Sequence, residues 1–250
     1  MSASPVAVVI PAYNEQARIG ATVKAAKTIP GVTVVVVVDD GSADATLTLA
    51  QEAGAVTVRH DRNRGKAAAL TTGAEAVARL DAQAGGAPHH LLFLDADLQG
   101  TAVEAAPLIG PIVEGEADMA IGLLPRTTPG GGWGFVVRLA TRGIERLTGW
   151  TPTQPVSGQR CLTRRLFDHA LPLSSGFGVE VGMTVDALLQ GFRVVEVPVA
   201  LAHRVTGRSL RDRVHRARQW RDVARALAVR HVRLRLTRRP QPALAPSEEQ

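Results

Sequence analysis

The sequence predicts an α/β fold in which a mostly parallel sheet is flanked by helices. Three observations carry this expectation. The apolar runs Val6–Ile10 and Val34–Val38 do not alternate, so each reads as a strand buried on both faces. Strand-like and helix-like stretches then alternate with short connections, which places successive strands parallel. Polar clusters follow the apolar runs at their carboxyl ends, where sheets of this kind take their ligands.

Taken in order, Val6–Ile10 is closed by Pro11. Glu15–Lys27 has helical spacing, with Ile19, Val23 and Ala26 on one face. Val34–Val38 is the second strand, and Ser42 is placed to cap a helix over 43–53. Val56–Arg59 is a short third strand. Arg64-Gly65 leads into an alanine-rich helix, Lys66–Leu80, and 83–88 is a loop. Leu91–Leu94 is a fourth strand, Thr101–Glu114 a helix and Asp118–Gly122 a fifth strand. The second half is less regular. A Gly/Pro/Thr-rich loop over 127–134 precedes an amphipathic helix, Phe135–Leu147. Gln159–Thr163 and Arg193–Val197 read as strands around a helix, Val179–Leu189. Leu210–Leu236 is a long basic helix whose apolar stripe runs through Leu210, Val214, Ala217, Ala224, Leu227 and Ala228. Residues 240–250 read as a disordered tail. The expected organisation is one domain over 1–239, with a regular half at 1–122 and a less regular half at 123–239.

Composition narrows the function classes. The chain has 250 residues, 45% hydrophobic and 21% charged, the balance of a globular protein. Cys161 is the single cysteine, which excludes an intramolecular disulfide framework and a thiolate zinc cluster. The start of the chain lacks a secretory pattern, and the longest aliphatic run, Val34–Val38, is far short of a membrane span, so a cytoplasmic location is expected. The net charge of +6 points to an anionic partner. It is concentrated late: thirteen arginines lie between Arg204 and Arg239, against the two acids Asp212 and Asp222. Nine aromatic residues and no known nucleic-acid module argue against nucleic acid.

Chemistry collects at the strand ends. Asp95-Ala-Asp97 delivers two carboxylates at the close of the fourth strand, with Gln99 beyond them. Hard divalent cations such as Mg²⁺ or Mn²⁺ pair carboxylates with substrate phosphates, although the same two aspartates would also suit a solvated capping turn. Asp39-Asp40-Gly41-Ser42 closes the second strand, and a carboxylate there can accept hydrogen bonds from a ribose or base. Arg62 to Lys66 opens the third helix, where backbone N–H groups favour an anion. No G-x-G-x-x-G or P-loop pattern is present. Arg126, Arg138 and Arg204 are candidate phosphate ligands, and His203 is a further candidate metal ligand. Glu180 and Asp186 are candidate general bases whose i, i+6 spacing places them on different helix faces.

Four stretches, Val9-Ile-Pro-Ala-Tyr-Asn-Glu15, Val37-Val-Asp-Asp-Gly-Ser42, Asn63-Arg-Gly-Lys66 and Leu94-Asp-Ala-Asp-Leu-Gln99, resemble the family 2 glycosyltransferases in order and spacing. The likeness continues in Ala117-Asp-Met-Ala-Ile-Gly122, Val156-Ser-Gly158, Glu196-Val-Pro198 and Arg204-Val-Thr-Gly207. It implies a GT-A, Rossmann-like fold and transfer of a sugar from a GDP- or UDP-sugar. Pro11, Tyr13, Glu15 and Asp40 would hold the nucleoside, and Asp95, Asp97 and Gln99 the Mg²⁺ or Mn²⁺ that bridges the diphosphate. Arg138 and Arg204 would bind phosphates, with Lys66 at the anion-binding helix start.

Within the family, D-A-D-L-Q and V-P-x(5)-R-x-x-G look like dolichyl- or polyprenyl-phosphate sugar synthases, which act with inversion. Two departures stand out: Leu123-Leu-Pro-Arg126 replaces the usual Ser-Arg-Tyr, and Gly100-Thr-Ala102 replaces His-Pro-Pro. Gly176-Phe-Gly-Val-Glu-Val-Gly182 and His203 look more like glucosyl-3-phosphoglycerate synthases, which retain configuration. The acceptor readings are therefore a polyprenyl phosphate, with the basic helix docking the enzyme on the inner face of an anionic membrane, or a soluble phosphorylated acid. A non-catalytic basic binding protein is the alternative outside enzymology.

Overall fold

A computed structural model describes residues 4–125, 134–201 and 210–237, with side chains from 217 to 236 in the last stretch. Seven strands form one sheet in the order β3-β2-β1-β4-β6-β5-β7. They are β1 (Val6–Ala12), β2 (Val32–Asp39), β3 (Val56–Arg59), β4 (His90–Phe93), β5 (Met119–Leu123), β6 (Arg160–Leu162) and β7 (Val194–Pro198). All neighbouring pairs are parallel except those of β6, which runs antiparallel between β4 and β5. The helices are α1 (Ile19–Ala26), α2 (Thr46–Glu52), α3 (Lys66–Ala84), α4 (Gly110–Val113), α5 (Gly134–Thr148), α6 (Arg164–His169), α7 (Val179–Leu189) and α8 (Leu210–Thr237).

The central strands are apolar throughout because both sheet faces are covered. Val6, Val8 and Ile10 of β1 pack with α1 and the 99–108 segment, while Ala7 and Val9 point the other way, into the core beneath α3, α6 and α7. β2 divides its valines in the same way, Val35 and Val37 to one side and Val36 and Val38 to the other. A third cluster joins α5, α7 and α8 through Val136, Ala140, Ile144, Val181, Val185, Val223 and Leu227.

Several boundaries differ from expectation for local reasons. The first strand continues through Pro11, whose register partner is Val38. The first helix begins only at Ile19, because Arg18 N–H and Ile19 N–H both close a turn onto Glu15 O. Ser42 does not cap α2. Its hydroxyl accepts from Asn14 N–H at 2.9 Å, and α2 starts at Thr46, whose N–H donates to Asp44 Oδ1 at 3.0 Å. The expected helix 101–114 is instead a 3₁₀ segment, Gln99–Leu108, followed by the single turn α4. Pro107 lies inside that segment, and proline removes a helical donor and disfavours the α conformation of the residue before it. The sequence reading also passed over α6, which Thr163 caps by accepting from Leu166 N–H at 3.2 Å.

The α8 stripe faces otherwise than expected. Leu227 is buried against α5 and Val223 joins it, but Ala217 and Ala228 are exposed; Leu210 and Val214 lie outside the described side chains. Gly143 of α5 allows this close fit, since a Cβ there would sit 2.3 Å from Leu227 Cδ1. Arg230, buried, fastens the helix down. Its Nε donates to Asp186 Oδ1 at 2.8 Å and its Nη1 to Ser174 Oγ at 2.8 Å.

α3 approaches the sheet most closely at Gly73, where a Cβ would lie 2.3 Å from Val9 Cγ1 and 3.3 Å from Val38 Cγ2. Both valines are fully buried, so neither can yield freely. Gly73→Ala is expected to lower stability by about 1–3 kcal/mol, despite alanine's better helix propensity. Urea unfolding would show a lower midpoint at an unchanged slope; a higher midpoint would mean that α3 lifts off the sheet without cost.

Candidate active site

The carboxyl ends of β1, β2 and β4 share one edge of the sheet, and the chain leaving each is braced by its neighbour. Residues 13–16 and 42–46 are laced together. Glu15 N–H donates to Thr46 Oγ1 at 2.8 Å, Gln16 N–H to Asp44 Oδ2 at 3.2 Å, and Ala43 N–H to Asn14 Oδ1 at 2.9 Å. Gly41 is required where this lacing meets the next loop: its φ is +76°, and a Cβ would fall 2.6 Å from the carbonyl carbon of Arg62. Tyr13 is half exposed above it, and the Glu15 carboxylate accepts from Arg18 Nη1 at 2.7 Å. Pro11 is partly exposed at the end of β1.

The two aspartates that end β2 have different tasks. Asp40 is engaged by protein: His60 Nδ1 lies 2.7 Å from Oδ1, and the N–H groups of Arg64 and Gly65 donate to Oδ1 and Oδ2 at 2.8 and 2.7 Å. It shapes the loop that leads into α3. Asp39 is equally buried, and its Oδ1 accepts from Ser42 N–H at 3.1 Å. Its Oδ2 has no hydrogen-bond partner; the nearest cation, Arg59 Nε, is 3.4 Å away. Asp39 thus keeps one carboxylate oxygen outside any hydrogen bond, while both oxygens of Asp40 are engaged by protein groups.

At the centre, the ammonium of Lys66 lies 2.8 Å from Asp95 Oδ1 and 2.9 Å from Glu180 Oε1. Gln159 Nε2 donates to the other oxygen of Asp95 at 2.7 Å. The two carboxylates outweigh burial and hold the Lys66 pKa above its ordinary value of 10.5. Gly158 admits this arrangement, since a Cβ there would lie 2.6 Å from Lys66 Nζ and 3.1 Å from Asp95 Oδ2. Asp97 has no side-chain hydrogen-bond partner among the described residues. Burial first, then the charges of Asp95 and Glu15, push its carboxyl pKa up. A hard divalent cation beside these acids would favour their charged forms. Among the described residues no three His, Cys, Asp or Glu side chains form a ready-made cage. What fits a metal is the exposed flank of the Asp95 and Asp97 carboxylates. Gln99 stands beside them with φ +51°, its N–H donating to Thr22 Oγ1 at 2.8 Å.

Arg138 is exposed on α5, stacked over Phe135 at 4.7 Å. Arg126, His203 and Arg204 lie outside the described residues. Of the two candidate bases, Glu180 faces Lys66 inside the site, whereas Asp186 is paired with Arg230 under α8. Sequence reasoning missed Gln159, Arg160 and His60. Arg160 is almost fully buried and satisfied by uncharged acceptors: its Nε donates to Ser157 O at 2.9 Å, and its Nη1 to Glu180 O and Thr184 Oγ1, both at 2.9 Å. Burial lowers its pKa to about 10. The available signal for Gln159 and Arg160 was their place directly after Val156-Ser-Gly158.

Comparison with known proteins identifies the family and the fold. The family model described as glycosyl transferase family 2 matches residues 7–169. Glycosyltransferase AglJ of Haloferax volcanii is 30% identical over 81% of this chain and 64% of its own. Polyprenol monophosphomannose synthase of Mycolicibacterium smegmatis is 29% identical over 85% of both chains. A crystal structure of glucosyl-3-phosphoglycerate synthase from Mycobacterium tuberculosis, in complex with Mn²⁺, uridine diphosphate and phosphoglyceric acid, superposes with a TM-score of 0.71 at 26% identity, over 91% of this chain and 78% of that one. The chain spans less than two thirds of the length of several curated relatives, 64% for AglJ and 60% for the sequence of the M. tuberculosis synthase.

Removing the Lys66 ammonium leaves two carboxylates facing each other. Lys66→Met is expected to cost about 1–3 kcal/mol of stability at neutral pH. Because the pKa of Lys66 is raised on folding, its contribution is complete below 10.5 and fades only as pH rises past that value. Thermal midpoints of both proteins across this range check it; equal midpoints at neutral pH would show the charges to be independently solvated.

Proposed function

The chain belongs to glycosyl transferase family 2, and from that premise we propose that it is a metal-dependent glycosyltransferase that moves a sugar from a nucleotide-sugar donor to a polyprenyl-phosphate-type acceptor. The observation that carries the reading is the meeting of Asp95, Asp97, Lys66 and Glu180 at the sheet edge.

The donor's base would be met by Asp39, whose buried Oδ2 is outside any hydrogen bond and 3.4 Å from Arg59 Nε. Tyr13 and Pro11 supply an apolar surface beside it. Asp95 and Asp97 would hold Mg²⁺ or Mn²⁺, with the flank of Gln99 completing the oxygen set. When bound, the cation neutralises the charge that builds on the departing diphosphate. Lys66 and Gln159 keep Asp95 in one orientation, so it meets the donor without first reorganising. In the transfer, the bond between the anomeric carbon and the diphosphate oxygen breaks, and an acceptor oxygen bonds to that carbon. A phosphate acceptor is anionic at neutral pH and needs no strong base, which leaves Glu180 free to stay paired with Lys66. Arg138 and Arg204 would bind phosphates of donor or acceptor, with His203 as a further metal ligand.

The lipid-linked acceptor is supported by the polyprenol monophosphomannose synthase, which aligns over 85% of both chains, and it would place the enzyme at the inner face of a membrane. A soluble phosphorylated acid is the second reading, favoured by the likeness to the glucosyl-3-phosphoglycerate synthase structures.

The test supplies Mn²⁺ and labelled nucleotide sugars with polyprenyl phosphate in one tube and 3-phosphoglycerate in another, then partitions the label between organic and aqueous phases. Label in the organic phase is the expected result, and Asp97→Ala should reduce it by about 100-fold or more. A new aqueous product would move the acceptor to the soluble class. No transfer and no donor hydrolysis in either tube would overturn the enzymatic reading. Asp39→Asn exchanges an acceptor for an amide and is expected to weaken nucleotide binding by about tenfold, seen by calorimetry with UDP and Mn²⁺.

A further inference from the structure

The face that α8 leaves to solvent is not the stripe its sequence suggests. Val229, Val232 and Leu236 are exposed at i, i+3 and i+7, with Arg225 and Arg235 on the same side. Beside it, α5 exposes Phe135, which is 77% accessible, and presents Arg138, Arg142 and Arg146 one turn apart. A groove of about 1260 Å³ runs between the two helices, with Leu139, Leu147 and Leu227 in its lining. Among the described side chains of α5 and α8 the acids are Glu145 and Asp222, and Asp222 already accepts from Phe177 N–H and Arg221.

We infer that α5 and α8 together form a surface that docks the protein on an anionic lipid bilayer. Arginines on both helices reach lipid phosphates, while Phe135, Val232 and Leu236 enter the boundary between headgroups and acyl chains. Charge decides among occupants. A second copy would bring the same excess of arginine against itself, which repels. A nucleic acid would satisfy the arginines but leave the exposed apolar side chains without a use. Among the described residues no helix is long and apolar enough to cross a membrane.

The surface is mechanically close to the site. Val181 and Val185 of α7 pack into the α5–α8 cluster, and Glu180, the neighbour of Val181, pairs with Lys66. A lipid-borne phosphate would thus be met by a site whose supporting helix rests on the docking face. The inference concerns the surface and stands whether the transferred sugar goes to a lipid or to a soluble acid.

Cosedimentation of the full chain with phosphatidylglycerol vesicles and with phosphatidylcholine vesicles, at low and high salt, tests it. Binding is expected to be about tenfold or more tighter to phosphatidylglycerol and to weaken with salt. The triple variant Arg142→Glu, Arg146→Glu, Arg225→Glu and the double variant Val232→Asp, Leu236→Asp should each reduce it by about tenfold or more. Thermal midpoints confirm that the variants fold; should the glutamate variant unfold, Arg142→Gln with Arg225→Gln takes its place. UDP binding in Mn²⁺, measured on the same proteins, should be unchanged. Equal binding to both vesicle types, binding indifferent to salt, or dimerisation that the variants abolish while vesicles go unbound would each overturn the docking surface. Vesicle binding without nucleotide binding would instead remove the proposed function and leave the surface standing.

Discussion

The site depends on one ammonium group. Lys66 stands at the first position of α3, Asp95 just beyond β4 and Glu180 at the start of α7, so a single cation ties together three elements from distant parts of the chain. With two carboxylates in contact, the lysine stays charged although it is partly buried. With a cation and an amide on its two oxygens, Asp95 has little freedom to turn. Asp97, two residues on, has no such side-chain partner among the described residues, and burial, with the charges of Asp95 and Glu15, holds its pKa up. One member of the pair is thus held by protein on both oxygens and the other is not, a difference the short pattern Asp-Ala-Asp does not disclose.

Arg160 supports this centre from below. It is a buried charge held by carbonyl and hydroxyl oxygens, which satisfy its donors without a carboxylate partner. Its acceptors come from the loop before β6 and from the first turns of α7. Those segments also carry Gln159 and Glu180. The guanidinium therefore sets the spacing between the two side chains that approach Asp95 and Lys66 from the second half of the chain. Asp40 has the matching task on the other flank, where His60 and two backbone N–H groups converge on it.

Much of the first half was legible because its signals are local. Non-alternating runs of valine mark strands covered on both faces, and carboxylates directly after such runs fall at the ligand edge. Asp95 and Asp97 were singled out in this way, and Lys66 by its place at the start of the third helix. What escaped was set by tertiary contact. Whether Asp39 or Asp40 keeps a spare acceptor depends on where the 60–65 loop returns, and no spacing in the 37–42 stretch reports that. The orientation of α8 depends on the absence of a side chain at Gly143 and on the buried Arg230–Asp186 pair. An arginine-rich helix with small residues on several faces does not reveal which of them faces inward. Ser42 illustrates the remaining difficulty: a good capping residue was drawn off by the backbone of Asn14, 28 positions away.

The antiparallel insertion of β6 has a consequence for how the chain is made. β1, β2, β3 and β4 can assemble in the order of synthesis, since each new strand joins one already placed. β5 has no such neighbour: between it and β4 lies a strand formed by residues 160–162, some forty positions later. Until that stretch leaves the ribosome, the outer rim of β4 is a row of open amides and carbonyls next to an apolar core, the kind of rim that recruits foreign strands. The three residues of β6 are at once the shortest strand of the sheet and its closure, and the nascent protein is most exposed to mispairing in the interval before they arrive.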